Sequence, residues 1–308
     1  MKKQSVYNEM QTIFLPLMIF LTSLTFVASV YPGDGKYFPL SENMVLVKGG
    51  CFQMGDIFRD VPSSEKPVHR VCVDDFYIGK YEVTVGEFRS FVNETGYRTE
   101  AEQQDGCHSW VGDGTEKKIK EHSWADTGFP QTDRDPVVCV SWNDASAYIE
   151  WLNKREGRNF RLLTEAEWEY AARSGGKKYQ YSWGNGEPSG NIADESALKE
   201  LSALSVWKGY RDGYAYTAPA GSFKANELGI YDMSGNVYEW VADWQEDNYY
   251  DNSPAYNPRG PDSGEHKILR GGAWDLEPDT ARTTSRYWNE AGARAVCMGF
   301  RIAHPVQH

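Results

Sequence analysis

Three stretches of the chain set apolar residues at helical spacing behind a hydroxyl residue and an acid three places further on. In "TVGEFRSFVNETG", Thr84 and Glu87 form a capping box, Phe88, Phe91 and Val92 an apolar stripe, and Gly96 a stop. "SWNDASAYIEWLNKREG" starts at Ser141 or Asn143, places Ala147, Tyr148, Trp151 and Leu152 on one face, and ends at Gly157. "LLTEAEWEYAARSGG" repeats the logic: Thr164 caps, Glu167 answers, Trp168, Ala171 and Ala172 pack, and Gly175 stops the helix. The first-turn acids are therefore expected to be caps rather than catalysts. Short strand-like runs follow a different pattern: "MVLVKGGCFQMG", "VHRVCVDDFYI", "HKILRGGAW" and "CMGFRIA". Tyr179 to Ala220 reads as turn and loop, and a second long loop follows "LGIYDMSGNVYEWVADW" through position 265. Short strands with three modest helices predict an α+β fold, a single compact loop-rich domain rather than a βαβ series. There is no internal repeat. No glycine-rich loop joins a strand to a helix in phosphate-binding form; "GGAW" comes nearest and lacks the pattern.

Composition changes this picture in two ways. The 29 glycines and 11 tryptophans among 308 residues suit a domain held by turns and aromatics. With 44 acidic and 32 basic residues the net charge is −12, which argues against nucleic acid as a partner. An acidic balance also suits an exported protein or one that binds a divalent cation. At the N-terminus two lysines precede an apolar run from Ile13 to Ala28, and "VAS" offers small residues near Ser29. That order is the pattern of a secretory signal. Pro16 and the hydroxyls in a run under about 18 residues argue against a stable membrane span. No Cys follows the run, so a lipoprotein anchor is not expected. The chain thus divides into a signal peptide (1–29), a linker (30–43) and one domain (44–304), with a periplasmic or secreted destination.

Five cysteines stand at 51, 72, 107, 139 and 297. In an oxidising compartment buried cysteines pair. Cys51 and Cys72 sit on neighbouring strand-like runs and are a candidate disulfide; the pairing of Cys107, Cys139 and Cys297 stays open, with one left over. No CxxC pair is present and the six histidines are scattered, so neither a zinc site nor a His-based metal site is expected.

Eight motifs in fixed order carry a resemblance: "FQMGD", "PVHRVCVDDFYIGKYEVTVGEFRSFV", "PVVCVSWNDASAYIEWLN", "RLLTEAEWEYAARSG", "YSWGN", "NELGIYDMSGNVYEW", "ILRGGAW" and "MGFRIA". The chain resembles the formylglycine-generating enzymes, or sulfatase-modifying factors, over about residues 44 to 304. The resemblance implies a variant of the C-type lectin fold with two structural Ca²⁺ sites. One would use Asn191, Ile192, Asp212 and Tyr214; the other Asp232, Gly235, Val237 and Glu239. Carboxylate, amide and backbone oxygens are the donors Ca²⁺ takes. Asp232 stands where the enzymes carry Asn, a change that keeps an oxygen and adds charge.

The resemblance also locates the family's chemistry. Its enzymes bind copper with two cysteines five residues apart after the RGG-type strand and oxidise a substrate Cys to formylglycine. Soft thiolates suit Cu(I). Here those positions hold Leu276 and Ala281. Neither has a donor atom, and Cys297 cannot restore a pair by itself, so no catalytic residue is assigned and copper is not expected. Arg270, Trp274, Arg282, Arg286 and Trp288 are candidates to line a binding cleft, since Arg suits carboxylate, sulfate or phosphate. The alternative is that these arginines are buried fold determinants paired to acids. Two functions from different classes follow: a binding or accessory module for a peptide, protein or small-molecule ligand, or an enzyme of altered chemistry acting in oxidative maturation of a peptide, siderophore or protein.

Overall fold

The computed structural model describes residues 43–59, 64–110, 115–202 and 205–306. The expected signal peptide and all but the last residue of the linker lie outside the described residues. Among the described residues no helix is long and apolar enough to cross a membrane.

In chain order the elements are β1 (Met44–Val47), β2 (Gly50–Met54), β3 (His69–Val73), β4 (Phe76–Gly79), α1 (Val85–Thr95), α2 (Glu100–Gln103), β5 (Cys107–Trp110), β6 (Glu116–Ile119) and α3 (Trp142–Glu156). Then come β7 (Arg161–Leu162), α4 (Glu165–Ala172), β8 (Tyr238–Trp244), α5 (Tyr249–Asn252), β9 (His266–Arg270), β10 (Arg286–Glu290), β11 (Met298–Phe300) and β12 (Ile302–Pro305). The mixture is α+β, and among the described residues the stretch between α4 and β8 carries only a short 3-10 turn and bridges.

The three expected helices form, and each begins with a reciprocal capping box. The pairs are Thr84 with Glu87, Ser141 with Asp144, and Thr164 with Glu167. Each box satisfies two backbone N–H groups that have no partner within the helix. Ser141, not Asn143, is thus the cap of α3. Gly96 and Gly157 close α1 and α3 in the left-handed conformation. α4 stops earlier than the spacing suggests. The N–H groups of Gly175 and Gly176 both fold back on the Tyr170 carbonyl, at 2.9 and 3.1 Å.

Two four-stranded sheets organise the domain, in the orders β1-β4-β12-β7 and β10-β9-β8-β11. The first joins the two ends of the domain, because β4 pairs with both β1 and β12. In the second, β8 pairs antiparallel with β9 and parallel with β11. β8 is also where three separate features start. Glu239 runs to a buried arginine, Asp243 reaches α4, and Tyr238 faces a cluster of aromatics and a thiol. Phe88, Phe91, Tyr148 and Phe300 pack edge-on or stacked between α1, α3 and this sheet. Burial of each such ring contributes roughly 1.5–3 kcal/mol.

The expected Cys51–Cys72 disulfide is present on directly opposed positions of β2 and β3. Cys107 pairs with Cys139, and Cys297 is the thiol left over, buried.

One buried acid gives the fold a pH dependence. Asp243 accepts the Glu165 N–H at the start of α4, at 2.8 Å. Burial, then the nearby Glu165 charge, push its carboxyl up to about 8. The folded pKa lies above the unfolded one, so this group's stabilising contribution is complete below pH about 4 and is lost as pH rises through about 8. Asp243→Asn keeps the acceptor and removes the titration. Urea melts should show the variant close to wild type near pH 4 and more stable than wild type above pH about 8. Equal pH slopes for the two proteins would contradict a neutral buried Asp243.

Candidate functional site

The wall that holds positions 276 and 281 is built by the glycine pair after β9. Gly271 and Gly272 adopt φ of 100° and 70°, backbone that L side chains rarely take. A Cβ at Gly272 would lie 2.7 Å from the Ala281 nitrogen. The RGG turn and the 278–281 turn therefore touch backbone to backbone, and only glycine permits it. Leu276 is half-buried against the core that includes Tyr238 and Cys297, and Ala281 is buried. Neither offers a ligand atom, and among the described residues Cys297 is the one unpaired thiol. A two-thiolate copper centre does not fit this wall.

The cleft arginines turn inward. Arg270 donates to Glu169 at 2.6 Å and to the carbonyls of Thr283, Thr284 and Ser285 at 2.9, 2.9 and 2.5 Å. Arg286 grips Glu165 at 2.6 and 3.0 Å and the Ser64 carbonyl at 2.7 Å. Arg282 forms a two-pronged pair with Glu65, both contacts 2.7 Å. Burial opposes the Arg282 charge, and the Glu65 pair more than offsets it, so its pKa is raised. All three side chains are at most 3 % exposed. Trp274 is buried too, edge-on to Phe129 and Tyr216, with its indole N–H on the Val296 carbonyl. Of the five residues expected to line a cleft, Trp288 alone keeps partial exposure. The expectation of an arginine-lined cleft is corrected accordingly. Each guanidinium spends donors on a buried acid, and Arg270 and Arg286 also on nearby carbonyls, so these arginines serve the fold.

The residues expected to hold Ca²⁺ are brought together in two neighbouring groups. In the first, the Asp212 carboxylate accepts the N–H groups of Tyr214 at 2.7 Å and Ile192 at 3.3 Å. The Asp212 N–H in turn donates to the carboxylate of Asp194, a fully buried acid. Burial, with the Asp194 charge beside it, pushes Asp212 up to about 7. In the second, Glu239 takes three contacts of 2.7–3.1 Å from Arg301 and the Trp168 indole N–H at 2.8 Å. Asp232 accepts the Gly221 N–H at 2.6 Å, and burial raises its carboxyl to about 6.

A further acid, Glu82, completes the second group. It is 1 % exposed, and one oxygen accepts from the Asn236 amide at 3.0 Å while the other has no partner. Burial, then the Asp232 charge, hold Glu82 well above the usual carboxylate range. Three buried carboxyls thus share one guanidinium, an imbalance that a divalent cation would relieve. Among the described residues no three His, Cys, Asp or Glu side chains converge closely enough to ligate an ion by themselves. A cation here would also need the carbonyls of Gly235 and Val237. The two groups are joined: the Asn236 N–H donates to the Asn191 carbonyl at 2.6 Å, and the Asn191 amide to Asn236 Oδ1 at 3.0 Å. Carboxylate, amide and carbonyl oxygens of these kinds are the donors Ca²⁺ takes.

Sequence reasoning passed over Asp194, Glu82 and, at the 276–281 wall, Asp275. Asp275 is 4 % exposed; one oxygen accepts the Trp110 indole N–H at 2.7 Å, and the Cys297 thiol hydrogen-bonds the carboxyl. Beside it lie Cys297, Tyr238 and Tyr287, the two tyrosine rings stacked at 5.3 Å. Burial pushes both the Asp275 carboxyl, to about 7, and the Cys297 thiol upward. The signal available in the sequence was an acid directly after the tryptophan of "GGAW".

The sulfatase-modifying factor enzyme 1-like domain model matches residues 35–306. The formylglycine-generating enzyme of Streptomyces coelicolor is 33 % identical over 312 residues, covering 90 % of this chain and 94 % of the relative. The bovine protein named inactive C-alpha-formylglycine-generating enzyme 2 is 32 % identical, covering 85 % of this chain and 87 % of its own length. Among solved structures, PvdO from Pseudomonas aeruginosa superposes with a TM-score of 0.67 at 31 % identity, covering 85 % of this chain and 94 % of that one. With the motifs, the fold and these relatives in agreement, the chain belongs to the sulfatase-modifying factor family and has its variant of the C-type lectin fold.

Proposed function

We propose that this chain is an exported, calcium-stabilised family member that does not make formylglycine and acts as a binding or accessory module. Residues 1–29 are its signal peptide, 30–43 a linker and 44–304 the working domain. The observation that carries the reading is the pair Leu276 and Ala281 at the two cysteine positions, on an otherwise retained wall. Converting a thiol to an aldehyde needs an oxidation centre, and these side chains cannot hold the family's copper. The existence of a relative named inactive supports such a role for the scaffold. Incubating the purified protein, loaded with Cu(I), with a CxPxR peptide should leave the peptide cysteine unchanged by mass spectrometry. An aldehyde product would overturn the reading.

A second reading, an enzyme of altered chemistry that oxidatively matures a peptide, siderophore or protein, draws on one observation. The wall holds a buried acid and a thiol, Asp275 and Cys297, side by side. The first reading is preferred because burial raises the Cys297 thiol well above its usual pKa and so disfavours the reactive thiolate.

A further inference from the structure

We infer that the Cys51–Cys72 disulfide is a thiol–disulfide exchange site, opened by a dithiol at Cys51 beside Arg70, in a domain that stays folded in both states. This site is independent of the binding-module reading.

The alternation of β2 and β3 sets the bond on the outside of their hairpin. Successive strand residues face opposite sides. Phe52, Met54, Val71 and Val73 point into the core and are at most 5 % exposed. Cys51, Gln53 and Arg70 are exposed on the other face, with Cys51 directly opposite Cys72. The two sulfur-bearing residues differ in access. Cys72 is 6 % exposed, because the segment from Ala255 to Asn257 pairs along it. The Cys72 N–H donates to the Ala255 carbonyl, and the Asn257 N–H to the Cys72 carbonyl, both at 2.8 Å. Cys51 stands open, and the Arg70 guanidinium donates to its Sγ at 3.1 Å. The second disulfide is the contrast, since Cys107 and Cys139 are both 0 % exposed.

Access and charge together select the course of exchange. The attacking species is a thiolate, an anion that the Arg70 guanidinium draws toward the open sulfur. It bonds to Cys51 Sγ as the S–S bond breaks, and Cys72 leaves as a thiolate that takes a proton from water. The second thiol of the dithiol, as its thiolate, then attacks the dithiol's own sulfur in the mixed disulfide. Cys51 leaves as a thiolate facing Arg70, which lowers its pKa and speeds its departure. Two electrons pass from the dithiol to the protein: the dithiol ends as a disulfide, and Cys51 and Cys72 as thiols. Opening the bond removes no core contact, because the cross-link lies on the solvent face. The hairpin keeps its other anchors, the Gly55 N–H on Glu169 at 2.9 Å and the Gln53 carbonyl on Arg173 at 2.6 Å.

The test adds dithiothreitol to the oxidised full chain without denaturant, then alkylates and reads each cysteine by peptide mass spectrometry. Cys51 and Cys72 should become labelled at least about tenfold faster than Cys107 and Cys139, with the circular dichroism spectrum unchanged. The melting temperature should fall by only roughly 5 °C on opening, the loss of one loop constraint. The double variant Cys51→Ser, Cys72→Ser should fold and melt at the same lowered temperature. Arg70→Gln should slow the opening about threefold, and Arg70→Lys, which keeps the charge, should retain most of the rate. Reduced thioredoxin is run in parallel at the same thiol concentration. A faster reaction with thioredoxin would identify a protein dithiol as the partner, and a faster one with dithiothreitol a small thiol; either supports the site. Equal rates for the two disulfides, opening only in denaturant, or loss of the dichroism signal as Cys51–Cys72 opens would overturn the inference. So would an Arg70→Gln rate equal to that of wild type.

Discussion

Replacing Arg270 by leucine should lower stability by about 3–5 kcal/mol, the cost of removing one partner from a buried ion pair. For a domain of this size that is a fall of roughly 10 °C in melting temperature. The guanidinium holds Glu169 and three successive carbonyls, from Thr283 to Ser285, all on buried residues. Glu169 keeps Arg173 at 2.9 Å, which softens the charge penalty and leaves the orphaned carbonyls as the larger part of the loss. As a control, Lys154→Ala removes a pair with Glu150 whose side chains are 74 % and 70 % exposed. That change should cost no more than about 0.5 kcal/mol. A loss below about 1 kcal/mol for Arg270→Leu would mean that the fold does not need this guanidinium. It would return Arg270 to candidacy as a ligand-binding residue.

Calcium removal is expected to have an effect of similar size. At a free concentration about 100 times the dissociation constant, each site adds about 2.7 kcal/mol to the folded state. Chelation at both should therefore lower the melting temperature by roughly 10 °C. The drop must be restored by Ca²⁺ and resisted by Mg²⁺, which demands tighter octahedral geometry. Asp212→Asn should remove the chelator-sensitive part due to the first group. Glu82→Gln should weaken the second group alone, since the unpartnered Glu82 oxygen belongs to it. An unchanged melt in chelator would remove both proposed sites. The three carboxyls around Arg301 would then have to be accounted for by protonation.

What the sequence disclosed was local, and what it concealed was distant. Capping boxes are written within four residues, so α1, α3 and α4 could be placed from Thr84, Ser141 and Thr164 with little else. β8 escaped because none of its seven positions from Tyr238 to Trp244 is exposed; burial runs through Tyr238, Glu239, Trp240 and Val241 without a break. A strand covered on both faces has no period-two signature. The hairpin of β5 and β6 was hidden for the opposite reason, since β6 is "EKKI", polar and mostly exposed. The arginine partners lie 101 to 217 residues away in sequence, so spacing could not show that Arg270, Arg282 and Arg286 were already paired. The loss of the cysteine pair was visible only through the family resemblance. Asp275 became meaningful once the fold set Cys297 and two tyrosines beside it.

The position of β8 carries a consequence for how this protein can vary. Tyr238, Glu239 and Asp243 point to three different destinations from a single strand that is hydrogen-bonded on both edges. In a strand a shift of one residue exchanges the two faces. An insertion or deletion within β8 would put an aromatic ring where Glu239, the partner of Arg301, belongs and an acid among the aromatics. The loop before β9 can change length without that penalty. Diversification of this scaffold is therefore channelled into its loops, while β8 must keep its length to the residue.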